Sequence, residues 1–295
     1  MITVNEYCRK QFGRKLYKIA LDGGFTCPNR DGTLGTGGCI FCSGKGSGDF
    51  AQDAGLSVSE QIEEGKKLVR HKLPAGQTGP SYIAYFQAFT NTYAPVEKLR
   101  RLFVEAINHP DIAVLSVATR PDCLPRETLG LLAELNRIKP VWVELGLQTI
   151  HPETAAYIRR GYELPVYEQA ADELQRAGIR QVITHVILGL PGETEEQMLE
   201  TVRFAAARTD GLKLTMLHVL KGTELAERYQ KGEFELMSME EYIHLTVKCL
   251  EALSPETVIH RMTGDGNRQD LIAPLWTLDK KRVLNGINRE CRSKK

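Results

Sequence analysis

Three cysteines stand at a spacing that could do chemistry. Cys27, Cys39 and Cys42 follow the pattern C-x11-C-x2-C. Between the first two lie Gly32, Gly35, Gly37 and Gly38 and almost no large apolar residue. Such a segment can double back tightly, because glycine accepts positive φ at little steric cost. Three thiols can then converge on one centre. Thiolates are soft ligands that select zinc, Cu(I) or iron–sulfur clusters. The number three matters. A structural zinc site is closed by four protein ligands, and an ordinary electron-transfer cluster of four irons is held by four cysteines. Three ligands leave one iron free for a small molecule. The competing reading is a zinc knuckle completed by Cys8, Cys123 or a histidine.

Other residues could serve the same centre. Glu144 and Gln148 share one face of an alternating strand, with Gly146 between them. A charged residue in an apolar strand is costly to bury without partners, which favours a task for Glu144. Gly189, in Leu188-Gly189-Leu190-Pro191-Gly192-Glu193, would let backbone approach a ligand closely or simply turn a strand into a helix. Arg159 and Arg160 end a helix, and an arginine fork suits a carboxylate. His185 alternates with apolar neighbours and faces either a cavity or the core.

The elements that must position these residues alternate. Strand-like runs fall at about 16–21, 81–89, 112–118, 141–148, 179–188 and 212–219, with helical patterns between them. Ser57 and Glu60 form an S-x-x-E capping signature for a helix to about 73, ended by Pro74-Ala75-Gly76. Six strand–helix units in series imply a parallel sheet. A full eight-unit barrel takes about 250 residues, so six units in roughly 205 residues suggest an open, partial barrel. The fold class expected is α/β: a partial (βα)6 TIM-type barrel spanning residues 1–220 with an N-terminal basic segment. A C-terminal α/β extension, 221–295, packs on the same domain. It holds helices at about 223–231 and 238–253, a strand at 257–262 and a basic helix at 279–292. Active sites in such sheets lie at the carboxyl ends of strands. The cysteine loop, Gln87 to Asn91, Arg120, Glu144 with Gln148, and the Gly189 turn all fall there.

The chain of 295 residues is 42% hydrophobic and 25% charged, the composition of a globular protein. It has no apolar run long enough for a membrane span and no signal-peptide pattern at its start. Seven cysteines, an odd number without an export signal, point to a reducing cytoplasm. Cys8, Cys123, Cys249 and Cys291 read as small apolar residues or surface thiols. Charge is uneven within a net +1. Arg9, Lys10, Arg14, Lys15 and Lys18 oppose only Glu6 at one end. Lys280, Lys281, Arg282, Arg289, Arg292, Lys294 and Lys295 oppose Asp279 and Glu290 at the other. Such ends form either a phosphate-binding surface or solvated tails.

The loop after a first strand, with Phe41 inside the final C-x2-C, resembles the radical S-adenosylmethionine (radical SAM) superfamily. Its usual spacing is C-x3-C-x2-C; the longer first gap here is similar to the Elp3-like branch. Glu144-Leu145-Gly146-Leu147-Gln148, Thr119-Arg120-Pro121-Asp122, Arg159-Arg160-Gly161-Tyr162, the Gly189 turn, Arg261-Met262-Thr263-Gly264-Asp265 and Ala273-Pro274-Leu275-Trp276 resemble the compact members of that branch, the YtqA (MnmL) and YhcC family. The resemblance implies a [4Fe–4S] cluster on Cys27, Cys39 and Cys42 and S-adenosylmethionine (SAM) held by Phe41, Gln87, Glu144, Gln148, Arg159, Arg160 and Gly189. It implies reductive cleavage of SAM to a 5′-deoxyadenosyl radical, with electrons from a donor such as flavodoxin or ferredoxin. It further implies tRNA as substrate, with wobble 5-carboxymethylaminomethyluridine converted to 5-aminomethyluridine. The chain has no acetyltransferase segment, so acetyl-CoA-dependent carboxymethylation is not expected. Two alternatives stay open: a radical SAM enzyme acting on a small molecule or peptide, and a zinc-stabilised RNA-binding protein without catalysis.

Overall fold

The computed structural model describes residues 1–293 except Ser47, Ala75 and Asp265. The readings that touched those three, Lys294 and Lys295 lie outside the described residues. The elements run β1 (Ile2–Thr3), α1 (Val4–Phe12), β2 (Tyr17–Leu21), α2 (Val58–Val69), β3 (Tyr82–Phe86), α3 (Val96–Asn108), β4 (Ile112–Thr119), α4 (Arg126–Leu135), β5 (Val141–Gln148), α5 (Pro152–Tyr157), α6 (Leu164–Arg176), β6 (Val182–Leu188), α7 (Glu195–Ala206) and β7 (Gly211–Met216). Then follow β8 (Val219–Leu220), α8 (Glu224–Gln230), α9 (Met239–Glu251), β9 (Val258–Arg261), β10 (Leu271–Ala273) and α10 (Lys280–Ser293).

The six expected strand–helix strands, β2 to β7, lie side by side in chain order and pair in parallel. Their central strands are nearly continuous apolar runs because both faces are covered. Helices pack outside them, and Ser57 with Glu60 caps α2 as its sequence predicts. The sheet does not stop at β7. β9, from the C-terminal region, pairs with β7 through Gly211 and Val258, and β1 pairs with β9, giving eight parallel strands. The expected strand at 212–219 breaks after Met216. The chain turns at Leu217 and His218, and β8 pairs antiparallel with β10 instead.

The sheet is curled, and side chains prove it. Lys213 of β7 donates to the hydroxyl of Tyr85 on β3 at 3.1 Å. Those strands are four positions apart in the sheet, roughly 19 Å if flat at the usual strand spacing. Only a closed-up interior brings the two tips together. Helix α1 plugs the N-terminal end of this interior. Cys8 packs there with Leu16, Ile83, Val114, Trp142 and Ile183, and Tyr7 meets Trp142 edge-on at 6.0 Å. The opposite, C-terminal end is left for the loops.

Candidate active site

The cysteine loop is folded by its own backbone. Arg30 N–H donates to the Cys27 carbonyl at 2.8 Å and Gly38 N–H to the Asn29 carbonyl at 2.7 Å, so the chain doubles back before Cys39. The Arg30 guanidinium then ties the far end, donating to the carbonyls of Cys42 at 2.9 Å and Ser43 at 2.7 Å. A Cβ on Gly38 would come within 2.9 Å of Arg30 Nε, which explains glycine at that position. Asn29 pins the loop to the end of α5 by donating to the Arg159 carbonyl at 2.8 Å. Ile40 N–H reaches the Ile158 carbonyl at 3.3 Å, and Leu225 N–H on α8 reaches the Ile40 carbonyl at 3.0 Å.

The thiols are neighbours. Burial pushes Cys39 up to about 11, and Cys42 and Cys27 add to that push while Arg120 opposes it. Asn29 Nδ2 lies 3.5 Å from the Cys39 sulfur. Three soft donors on a tight loop, with Arg120 and Asn29 at hand to offset negative charge, fit a thiolate-ligated cluster. Among the described residues, the three sulfurs do not all lie within 4.8 Å of one another. Tetrahedral zinc with its short Zn–S bonds needs sulfurs about 3.8 Å apart. Of the other thiols, Cys8 sits at the opposite end of the barrel. Cys123 is buried, and desolvation first and neighbouring Asp122 second push it up to about 12.

The SAM-side residues separate. Phe41 and Ile187 pack against a small apolar cluster that includes Ile158, Leu217 and Leu190, the neighbour of Gly189. Gly189 has φ +84, a conformation that favours glycine. Gln87 follows directly on β3, its N–H bonded to the Leu21 carbonyl at 3.3 Å. Gln148 ends β5 with φ +64 after a register shift, and its side chain folds back so that Nε2 occupies the space a Gly146 side chain would fill.

Arg159 and Arg160 part company. Arg160 is 3% exposed and spends its guanidinium on carbonyls: Thr149 at 2.6 Å, Leu147 at 3.3 Å and Tyr162 at 2.9 and 3.0 Å. It clamps the end of β5 to the loop before α6 and has no fork left for a ligand carboxylate. Arg159 is 45% exposed, pairs with Glu224 and lies against Gly37 of the cysteine loop. Arg120 holds Asp122 at 2.7 and 2.9 Å and donates to the Arg160 carbonyl at 2.8 Å.

Glu144 is the largest departure from its expected place. It lies four residues before the end of β5, roughly 13 Å below Gln148 at strand rise, and its side chain is 0% exposed. Oε1 accepts from Lys18 at 2.6 Å and Ser116 at 3.0 Å, and Oε2 contacts Lys213 and His185, the latter at 2.8 Å. Burial alone would raise the carboxyl, but Lys18 and Lys213 outweigh it and hold it well below the usual range. Glu144 is therefore the hub of a charged layer in the barrel interior. His185 faces that interior, pushed down to about 4 chiefly by burial. Sequence reasoning missed Lys18, Ser116 and Lys213 as partners and counted Lys18 among the basic end. The signal was there: Lys18 and Lys213 are charged residues inside apolar strands, as Glu144 is.

The curled parallel sheet is a partial α/β barrel with charged side chains in its interior and a three-thiol loop after β2. The Radical SAM superfamily model matches residues 30–205, and the Radical_SAM C-terminal domain model matches 209–293. Protein YtqA of Bacillus subtilis (strain 168) is 46% identical over 289 residues, covering 98% of this chain and 88% of that protein. Protein YhcC of Escherichia coli (strain K12) is 38% identical, covering 90% and 84%. The archaeal Elp3 of Methanocaldococcus infernus, solved with an N-terminal deletion, superposes with TM-score 0.68 at 16% identity over 93% of this chain and 63% of that one, a likeness of fold. The chain belongs to the radical SAM superfamily, in the compact Elp3-like branch that includes YtqA and YhcC. It is an enzyme whose cofactors are a [4Fe–4S] cluster and SAM, and such enzymes need a reductant. Among the described residues no helix is long and apolar enough to cross a membrane.

Proposed function

We propose that Cys27, Cys39 and Cys42 hold the cluster, that Phe41 and the Gly189 turn receive the SAM adenine, and that Arg159 receives its carboxylate. Gln87 and Gln148 line the path between them. The reading is carried by one observation: the thiol loop is strapped to the end of α5 and to α8, with Phe41 packed against the apolar cluster that includes Leu190. When bound, the two cofactors supply a 5′-deoxyadenosyl radical that takes a hydrogen atom from substrate. The protein's part is to orient and enclose. Asn29 and Arg30 fix the loop, Arg160 fixes the end of β5, and α1 closes the opposite end of the barrel with an apolar cluster.

The substrate proposed is tRNA, with 5-carboxymethylaminomethyluridine at the wobble position losing its carboxymethyl group to give 5-aminomethyluridine. Support comes from the exposed basic face of α10, where Lys281, Arg282, Arg289 and Arg292 point to solvent while Val283 and Ile287 pack inward. RNA phosphates attract such a face.

The test is anaerobic reconstitution with iron and sulfide, reduction, and addition of SAM. We expect 5′-deoxyadenosine, its loss in Cys27→Ala, Cys39→Ala and Cys42→Ala, and accumulation of the carboxymethyl form in tRNA from a deletion strain. A colourless protein that binds zinc and makes no 5′-deoxyadenosine would overturn the cluster assignment. Unaltered tRNA in the deletion strain would overturn the substrate and leave a small molecule or peptide in its place.

A further inference from the structure

A short relay of polar groups leads to the sulfur of Cys39. Asn29 Nδ2 lies 3.5 Å from that sulfur and 3.3 Å from the Arg160 carbonyl oxygen. Arg120 Nη1 donates to the same carbonyl at 2.8 Å. Three steps of this length keep the Arg120 guanidinium within roughly 10 Å of the sulfur. Gly161 makes room for the relay. A Cβ there would come within 2.5 Å of Asn29 Oδ1 and 3.3 Å of Arg120 Nη2.

The ion pair at the head of the relay is oriented. The side chain of Arg120 is 11% exposed and pairs with Asp122 at 2.7 Å. Asp122 lines an open groove of about 770 Å³ with Pro28, Leu34 and Tyr93, and Arg120 is not among the lining residues. The anion thus faces water and the cation faces the thiols. Water and salt screen the outer charge more than the inner one, so a positive field remains at the sulfurs. Burial opposes the charge on Arg120; Asp122, and after it Cys27 and Cys39, outweigh burial and hold the guanidinium above its ordinary value. Cys39 has reason to need such a neighbour. As a thiol it can donate to the Arg159 carbonyl at 3.5 Å, but as a thiolate it has only acceptor capacity to set against that oxygen.

We propose that Arg120 is a fixed positive charge that raises the reduction potential of the cluster, and that Asp122 limits its effect. The inference rests on the reading of Cys27, Cys39 and Cys42 as the cluster ligands. In the step concerned one electron passes from the external reductant to the cluster, whose charge becomes more negative by one, and no bond forms or breaks. Net charge and hydrogen bonds to the sulfurs help to set such potentials. A unit charge at roughly 10 Å, in an effective dielectric of about 20, changes the ratio of reduced to oxidised cluster by about tenfold. Arg120 acts through the thiolates and touches neither SAM nor substrate. Arg160, which lies beside it and is bonded to carbonyls, stays in place throughout.

The experiment is a redox titration of the reconstituted enzyme without SAM, followed by the EPR signal of the reduced cluster. Arg120→Gln is expected to lower the ratio of reduced to oxidised cluster at a fixed potential about tenfold, which is about 59 mV for a one-electron couple. Asp122→Asn leaves the guanidinium without its carboxylate and should raise that ratio. Arg120→Lys keeps the charge and should stay within about twofold of wild type. Opposite shifts from two variants that break one ion pair do not arise from damage to the loop. Shifts in the same direction, no shift in either, or a lysine variant that moves as far as the glutamine one would each overturn the role of Arg120. If Arg120→Gln takes up no cluster, the sign of the Asp122→Asn shift decides. A wild-type protein without a cluster, or Cys39→Ala with an unaltered one, would defeat the ligand assignment and this role with it. A cluster whose potential ignores both variants would defeat the role alone.

Discussion

Arg159 and Arg160 carry the same side chain and have nothing else in common. The sequence offers both as partners for a ligand carboxylate, because Arg-Arg-Gly-Tyr has no internal mark to tell them apart. What separates them is a set of carbonyls from elsewhere in the fold, Leu147, Thr149 and Tyr162, that claims Arg160 completely. Hydrogen bonds from a charged donor contribute about 1.5–3 kcal/mol each and do not add simply. Arg160→Ala should therefore cost about 3–5 kcal/mol and lower the melting temperature by roughly 10 °C. Arg159 is half exposed, and exposed ion pairs such as its bond to Glu224 contribute about 0–1 kcal/mol. Arg159→Ala should leave the melting curve unchanged and raise KM for SAM about tenfold. The pair of measurements separates clamp from ligand. If Arg159→Ala left KM untouched, the SAM carboxylate would need another partner.

At the scale of elements, the barrel's last strand comes from far along the chain. β9 begins at Val258, yet it pairs with β7 and carries β1 on its other side. Helix α9 covers the same region with Tyr242, Leu245, Val247 and Cys249 in the main core. A chain stopped at Leu220 would leave β7 with a bare row of donors and acceptors, a template for aggregation, and would strip apolar cover from the sheet. We expect that truncation to be insoluble or rapidly cleaved by protease; a soluble 1–220 fragment with a cooperative unfolding transition would make the barrel self-sufficient. This junction also marks where sequence reading stops. β2 to β7 were legible because doubly covered parallel strands are unbroken apolar runs and their order follows the chain. β1 was not, since two residues carry no periodicity. The partner of β9 was not either, because 257–262 reads as a strand while its neighbour is set by packing across some forty residues. The site divides the same way. The cysteine spacing and the Phe41 and Gly189 positions are local patterns. The Lys18–Glu144–Lys213 layer is made by curling the sheet, and no local pattern reports curvature.

For the molecule as a whole, three histidines held neutral inside the fold should set its response to acid. His185 faces Glu144, Lys213 and Lys18, and His218 lies near Arg261 and Lys280; each is pushed down to about 4, first by burial and then by those cations. His260, against Trp142 at 5.2 Å, is held well below its ordinary value, again chiefly by burial. In the unfolded chain a histidine titrates near 6.5. Between about 6.5 and 4 the unfolded state therefore binds more protons than the folded one, and stability must fall as pH falls through that window. Glu144 does not oppose this. Its folded pKa is depressed, so its contribution is present above the unfolded carboxyl value and is lost only as pH drops through its lower folded one. Urea midpoints measured anaerobically should thus decline steadily from pH 7 to pH 5, before carboxylates matter. His218→Gln removes one of the three protons taken up on unfolding, and among the described residues Nε2 of His218 has no hydrogen-bond partner to lose. The variant should flatten the decline by about a third, and because wild type and variant carry the same cluster, its own acid sensitivity cancels in the comparison. A midpoint that holds level from pH 7 to pH 5 in the wild type would mean these rings are protonated in the folded protein, with counter-charges drawn toward them.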